Sequence, residues 1–81
     1  MGRRVYPISE VQWPTSPGKP GRIIYSTGNG DDHRIRFYLD SDQPTSVNDN
    51  DAAMCQIPKG GKKKPAAIAR FEGEDFLVVF K

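Results

Sequence analysis

With 81 residues, a formal net charge of +2, 36% hydrophobic residues and 27% charged residues, the chain has the composition of one small folded domain, residues 1–81. No stretch approaches the roughly 20 consecutive apolar residues of a membrane-spanning helix, so we expect no membrane partner. Because the single cysteine, Cys55, cannot form an internal disulfide, we expect a reducing compartment, most simply the cytoplasm.

The first predicted element covers residues 5–13, in which the apolar residues alternate toward the end. Pro7 interrupts this pattern and Pro14 ends it, so an edge strand and a helical turn beginning at Ser9 are both consistent with it. Residues 15–21, which include two prolines and two glycines, form a turn-rich connection.

Residues 22–40 have the pattern of a β-hairpin. Asn29-Gly30 is typical of a type I′ turn, whose two central residues need positive φ. Side chains along the second strand alternate between two faces. One side of this strand is predicted to point into the core, and it consists of Ile35, Phe37 and Leu39. The other side is predicted to be exposed, and it consists of Arg34, Arg36 and Tyr38.

The second half of the chain contains an apolar patch and a second hairpin. Residues 52–57 are either a brief strand or one helical turn. The flanking residues, 41–51 and 58–65, lack periodicity and are predicted to be flexible loops. Residues 66–71 and 76–81 form a hairpin around a glycine turn, and the last strand is apolar on both faces, which is typical of a barrel.

These elements predict an all-β fold, in which a small five-stranded twisted sheet closes into an SH3-like or OB-like barrel. Closure hides the strand edges, and few residues remain to cover an open sheet with helices. An open β-sheet with one short helix is the alternative.

Two basic features are candidates for a binding site. Arginines two residues apart on a strand have a spacing of about 6.5–7 Å, comparable with that of phosphates along a nucleic acid, and Tyr38 beside them can stack on a base; Tyr6 or Tyr25 would extend this strip. A glycine-containing segment adds diffuse positive charge from Lys59, Lys62, Lys63 and Lys64. The alternatives are a solvated sheet face, whose arginines pair with Asp31, Asp32 or Glu10, and a solubilising loop.

Other reactive residue types have simpler interpretations. His33 is expected to be an exposed turn histidine, and Cys55 a small buried apolar residue. No spacing typical of metal ligands and no nucleophile–base pair occurs, so we expect no catalytic residue, metal or cofactor, and no enzyme. Trp13 is either the largest core residue or an anchor for a protein partner.

We therefore expect a non-enzymatic binding protein that contacts DNA or RNA through its basic strip and lysine-rich segment. The alternative is a protein-interaction module, an accessory, inhibitor or adaptor protein of phage or plasmid type, that docks on a larger protein through Trp13 or its charged loops. The modest net charge weighs against nucleic acid, as do six acidic residues in the middle of the chain: Asp31, Asp32, Asp40, Asp42, Asp49 and Asp51.

Overall fold

The computed structural model describes residues 2–16, 18–40 and 46–80, and these residues form a closed antiparallel barrel of six strands. The described residues contain no helix that is long and apolar enough to cross a bilayer. The all-β barrel prediction is confirmed, with six strands rather than five. The strands are β1 (Arg3–Gln12), β2 (Gly21–Ser26), β3 (Asp32–Leu39), β4 (Ala52–Lys59), β5 (Lys62–Phe71) and β6 (Glu74–Phe80).

The strand order is that of an up-and-down barrel. Each strand pairs with its neighbour in sequence, and β6 pairs with the first half of β1. This order differs from the Greek key of an OB-fold. The outer surface therefore has two sides, one made by β2, the second half of β1 and most of β3, and the other by β4, β5, β6 and the first half of β1.

Strand β1 closes the barrel by changing neighbours halfway along its length. Residues 3–7 pair with β6 and residues 8–12 pair with β2, with a shift of register between Ile8 and Glu10. Such a bulge bends a strand. Pro7 lies just before the shift, where the chain leaves one neighbour for the other, so its missing N–H donor is tolerated. The strand interpretation of this segment is confirmed, and the helical turn is wrong.

The core consists of the side chains that alternate into the barrel. Phe37 is 0% exposed, and Ile35 and Leu39 pack against the same core, so the predicted faces of β3 are confirmed. Trp13 is partly buried and meets Phe37 edge to face, with ring centroids 5.6 Å apart. The remaining buried residues of this core are Ile23, Cys55, Ile57, Ala66, Ile68 and Leu77.

The hairpin turns only partly follow the sequence pattern. Ser26 pairs with Asp32, so residues 27–31 form a longer connection and the two-residue Asn29-Gly30 turn is wrong. Within it, Gly28 and Gly30 have φ of 93° and 84°. The turn at Glu72-Gly73 has positive φ at both residues, as a type I′ turn requires.

The segment 58–65 was expected to be a loop, and it is instead the tip of a β-hairpin. Pro58 pairs with Lys63 and Lys59 pairs with Lys62, on either side of a Gly60-Gly61 turn. Both glycines have positive φ, 61° and 83°. The patch at 52–57 belongs to the same hairpin, so it is a strand and not a helical turn.

The other expected loop, 41–51, docks against the barrel over its second part. Residues 41–45 lie outside the described residues. Beyond them, Val47 is buried, the Asn50 N–H donates to the Arg70 carbonyl (2.7 Å), and the Arg70 N–H donates to the Asp51 carbonyl (3.1 Å). Residues 46–51 are therefore held against the end of β5 that lies opposite the lysine-rich turn.

Candidate nucleic-acid interface

The outer face of β2 and β3 carries the predicted arginine strip. Arg34 and Arg36 are exposed on β3, and β2 adds Arg22 directly opposite Arg36. These three side chains border a shallow groove of about 210 Å³. Because like charges placed opposite each other destabilise a sheet, an anion bound between them would relieve their repulsion.

Two acidic residues of the alternative interpretation, Glu10 and Asp32, lie on the same outer face as this strip, but neither forms an ion pair with it. The ion pair within the described ranges joins Arg70 to Asp75 (2.7 Å), and none joins Arg34 or Arg36 to an acidic residue. Glu10 instead accepts a hydrogen bond from the Gln12 amide (2.9 Å). Both guanidinium groups of the strip are therefore exposed to solvent.

A cation–π contact joins the strip to the lysine-rich hairpin. The Lys63 Nζ lies 4.1 Å from the centre of the Tyr38 ring, within the range of such contacts. The two basic features predicted from the sequence are thus adjacent in space. We call the surface formed by Arg22, Arg34, Arg36, Tyr38 and Lys63 the basic face.

The other hairpin lysines have different surroundings. Lys59 and Lys64 line a cleft of about 700 Å³ at this end of the barrel. Lys62 is exposed beside the Gly60-Gly61 turn. Because side chains alternate along a strand, Lys63 turns outward and Lys64 turns toward the cleft. The hairpin therefore supplies cations to both surfaces.

The cleft also contains residues that the sequence did not place there. Arg4 contributes a third cation, and Tyr6 and Tyr25 form part of the wall. The expectation that either tyrosine extends the arginine strip is wrong, because both pack against the core from inside the barrel. Apolar residues complete the lining: Ile35, Ile57, Pro58, Pro65, Val79 and Phe80.

Three aromatic rings are in contact beside this cleft. The ring centroids of Tyr6 and Tyr25 are 5.2 Å apart at 42°, and those of Tyr25 and His33 are 5.3 Å apart at 26°. Burial, with a smaller contribution from Tyr6, raises the pKa of Tyr25. Its hydroxyl group therefore remains protonated at neutral pH and can donate a hydrogen bond. The exposed His33 lies at the outer end of this aromatic group.

Much of the acidic charge is located at the opposite end of β5. The Asp75 carboxylate accepts from Arg70 there, and the Asp49 carboxylate accepts a hydrogen bond from the Gly73 N–H (3.2 Å). The cleft, in contrast, has no carboxylate among its described lining residues. The fold thus places these carboxylates at the end of β5 that is opposite the lysine-rich hairpin.

The described residues contain no group of three or more His, Cys, Asp or Glu side chains that could hold a metal ion. Cys55 is 0% exposed. Burial, followed by the nearby Asp40, raises the pKa of its thiol to about 12. The thiol is therefore protonated at neutral pH, and its packing as a small apolar residue agrees with the prediction.

Comparisons with protein-family models, with curated proteins and with solved structures found no match to this chain.

Proposed function

We propose that this protein binds single-stranded nucleic acid, with phosphates on the basic face and lysine hairpin and with bases against the aromatic rings of the cleft. The contact between Lys63 and Tyr38 is the observation that carries this proposal, because it joins the arginines and the lysines into one surface. A nucleic-acid strand lying on this surface would meet several cations in succession.

Phosphate contacts supply most of the expected affinity. Arg34 and Arg36, two residues apart on one strand, are about 6.5–7 Å apart, a distance suited to successive phosphates. Arg22 opposite Arg36 widens the strip to two strands. Guanidinium groups donate to phosphate in pairs of hydrogen bonds, so this strip suits phosphate better than a diffuse lysine cluster would.

Base contacts are assigned to the cleft rather than to Tyr38. One face of the Tyr38 ring is covered by Lys63, so we infer that Tyr38 orients this lysine. The cleft has the size of a small-ligand site and combines aromatic walls with Arg4, Lys59 and Lys64. Aromatic side chains bind bases of any sequence by stacking, which suits single strands, whose bases are exposed.

The alternative, docking on a protein through Trp13, has less support. Its indole ring packs edge to face on Phe37, which accounts for it as a structural residue. A catalytic role has no support from the chemistry of the cleft, whose polar lining consists of cations and tyrosine hydroxyl groups.

The first test is fluorescence anisotropy with labelled random-sequence oligonucleotides, single- and double-stranded, at low and moderate salt. Replacing Arg34 and Arg36 with alanine should weaken binding while leaving the melting temperature unchanged, because both side chains are exposed. Replacing Lys62, Lys63 and Lys64 should weaken it further. The slope of log affinity against log salt should flatten by roughly 0.7 for each phosphate of a single strand that the variant no longer neutralises.

A matched control separates local contacts from net charge. Ser46→Asp with Asn48→Asp also lowers the net charge by two, but it does so by adding two carboxylates at exposed positions beside the acidic end of β5. This control should bind nearly as the parent does. If it weakens binding as much as the arginine variant, or if the parent does not bind at low salt, the basic face is only a solvated surface.

The second test concerns stacking in the cleft. Tyr25 lies between the rings of Tyr6 and His33, so the test uses Tyr6, whose ring contacts Tyr25 alone among the described aromatic pairs. Tyr6→Leu should reduce single-strand affinity by about 1–3 kcal/mol, the usual contribution of one stacked base. Tyr6→Phe keeps the ring and should bind like the parent. Equal affinities of the two variants would show that bases do not stack on this residue, and would leave the phosphate contacts as the basis of binding.

A further inference from the structure

The side of the barrel opposite the basic face is unusually apolar. Register places the outward side chains of β4, β5, β6 and β1 in rows across the sheet. Two adjacent rows consist of apolar residues only: one is Met54, Ala67, Val78 and Val5, and the other is Ala52, Ala69, Phe76 and Pro7. We call these two rows the apolar face.

These side chains lie on the outer side of the sheet, although Ala67 is only 4% exposed there. They alternate with the buried residues of the same strands, such as Cys55 and Leu77, and therefore point away from the barrel. Val5 is 51% exposed and Met54 is 49% exposed, although both are large apolar residues. Flanking apolar residues, including Phe71 at 55% exposure, enlarge the patch. Exposed apolar patches of this kind mark interaction sites.

We propose that the apolar face binds a second copy of this chain, forming a symmetric dimer. The charges at its two ends favour this occupant. Arg3 lies in the next row at one end, opposite Phe80, and Glu74 lies in the next row at the other end, opposite Phe71. A twofold axis in the plane of the interface and perpendicular to the strands would bring the basic end of each copy onto the acidic end of the other.

The same axis matches the apolar rows with each other. It places each row of one copy over the other row of its partner, so that Val78 faces Phe76 and Ala67 faces Ala69. A twofold axis parallel to the strands would instead keep each row over itself and reverse the order of the strands, so that Arg3 would face Gln56 and Glu74 would face Phe71. Neither charge would then meet an opposite charge across the interface, so the charge pattern favours the antiparallel arrangement.

The size of the patch sets the expected strength of the dimer. With strands about 4.8 Å apart and outward residues about 6.7 Å apart along each strand, the face and its flanking rows measure roughly 19 Å by 25 Å. Two copies would bury about 950 Å², which is near the lower limit for a specific interface. We therefore expect a reversible dimer with a Kd of about 1–100 µM.

Sedimentation velocity of the full chain from about 1 to 500 µM tests this proposal, because that range brackets the expected Kd. The parent should shift from monomer to dimer. Val78→Lys, which places a charge at the centre of the face, should remain a monomer at every concentration. Its melting temperature should equal that of the parent measured at a concentration where the parent is monomeric. Arg34→Ala, which is exposed on the opposite side of the barrel, is the matched control and should dimerise like the parent.

Charge reversal tests the orientation of the two copies. Arg3→Glu and Glu74→Arg should each weaken the dimer roughly tenfold, because each change affects two equivalent contacts. The double variant restores opposite charges and should return close to the parental Kd. A parent that stays monomeric throughout, an association unaffected by Val78→Lys, or a double variant weaker than both single variants would overturn the proposal. If the parent stays monomeric, the apolar face either contacts a different protein or is exposed to solvent.

Discussion

Gly21 is the one glycine of the described residues at which an added methyl group would collide with other atoms. A Cβ atom at this position would lie 2.3 Å from Cε1 and Cζ of Phe37 and 2.7 Å from the backbone oxygen of Gln12. All three distances are far below van der Waals contact, and the Phe37 side chain is fully buried. Gly21→Ala should therefore lower the free energy of unfolding by about 2–3 kcal/mol, as overpacking of a core does.

A double-mutant cycle identifies the cause of this decrease. Phe37→Leu removes the two ring atoms that clash and alone should cost about 1–2 kcal/mol. In the double variant the new methyl group meets only the Gln12 oxygen. The cost of the double variant should be at least about 1 kcal/mol smaller than the sum of the single costs. Urea unfolding followed by the fluorescence of Trp13, which contacts the ring, measures all four proteins. Additive costs would show that the ring does not lie over Gly21.

Three further predictions concern the core, a loop and pH. Phe37→Ala should destabilise the domain by about 3–5 kcal/mol, and an unchanged thermal melt would mean that the faces of β3 are reversed. Gly30→Val should lower the unfolding midpoint because φ is 84° there, whereas Asn29→Val in the same loop should have a smaller effect. Because burial raises the pKa of Cys55 from 9.0 to about 12, the unfolded thiol ionises first. The stability that the buried, protonated thiol contributes is complete below pH 9 and is lost as the pH rises toward 12, because ionisation then favours the unfolded chain. Cys55→Ala should therefore show a shallower fall of unfolding free energy in that window, and a fall equal to that of the parent would contradict the raised pKa.

Features set by neighbouring residues could be predicted from the sequence. Alternation alone identified the buried face of β3, and the structure places Phe37 at 0% exposure on that face. Glycine at the centre of a short polar stretch identified the turn at Glu72-Gly73. These features depend on the period of a strand and on the backbone freedom of one residue, and both are visible in a short window of sequence.

Features set by pairing were missed. The Asn29-Gly30 pair favours a two-residue turn, but the register of β2 with β3 puts both residues inside a longer loop. The lysines and glycines of 58–65 have the composition of a loop, yet cross-strand hydrogen bonds hold this segment as a hairpin. The cleft is lined by residues as distant in the chain as Arg4 and Lys64, and no local pattern relates residues so far apart.

The basic face and the apolar face lie on opposite sides of the barrel, so the two proposals together make a testable prediction. The smallest extent of the molecule is 25 Å, and a dimer joined through its apolar faces would hold its two basic faces about twice that distance apart, about 50 Å. A strand of about 8 nucleotides would contact one basic face. A strand of about 40 nucleotides would reach both, and its second contact would be intramolecular.

At concentrations where the dimer forms, the parent should therefore bind the 40-nucleotide strand more than about tenfold more tightly than the 8-nucleotide strand. Val78→Lys should bind the short strand like the parent, since it leaves the basic face intact, but it should show little of the gain on the long strand. Titrations of both oligonucleotides by fluorescence anisotropy, with Arg34→Ala as the control that dimerises but binds each strand more weakly, separate the two contributions. An equal gain in the parent and in Val78→Lys would mean that monomers occupy the long strand independently, and that the two faces do not act together.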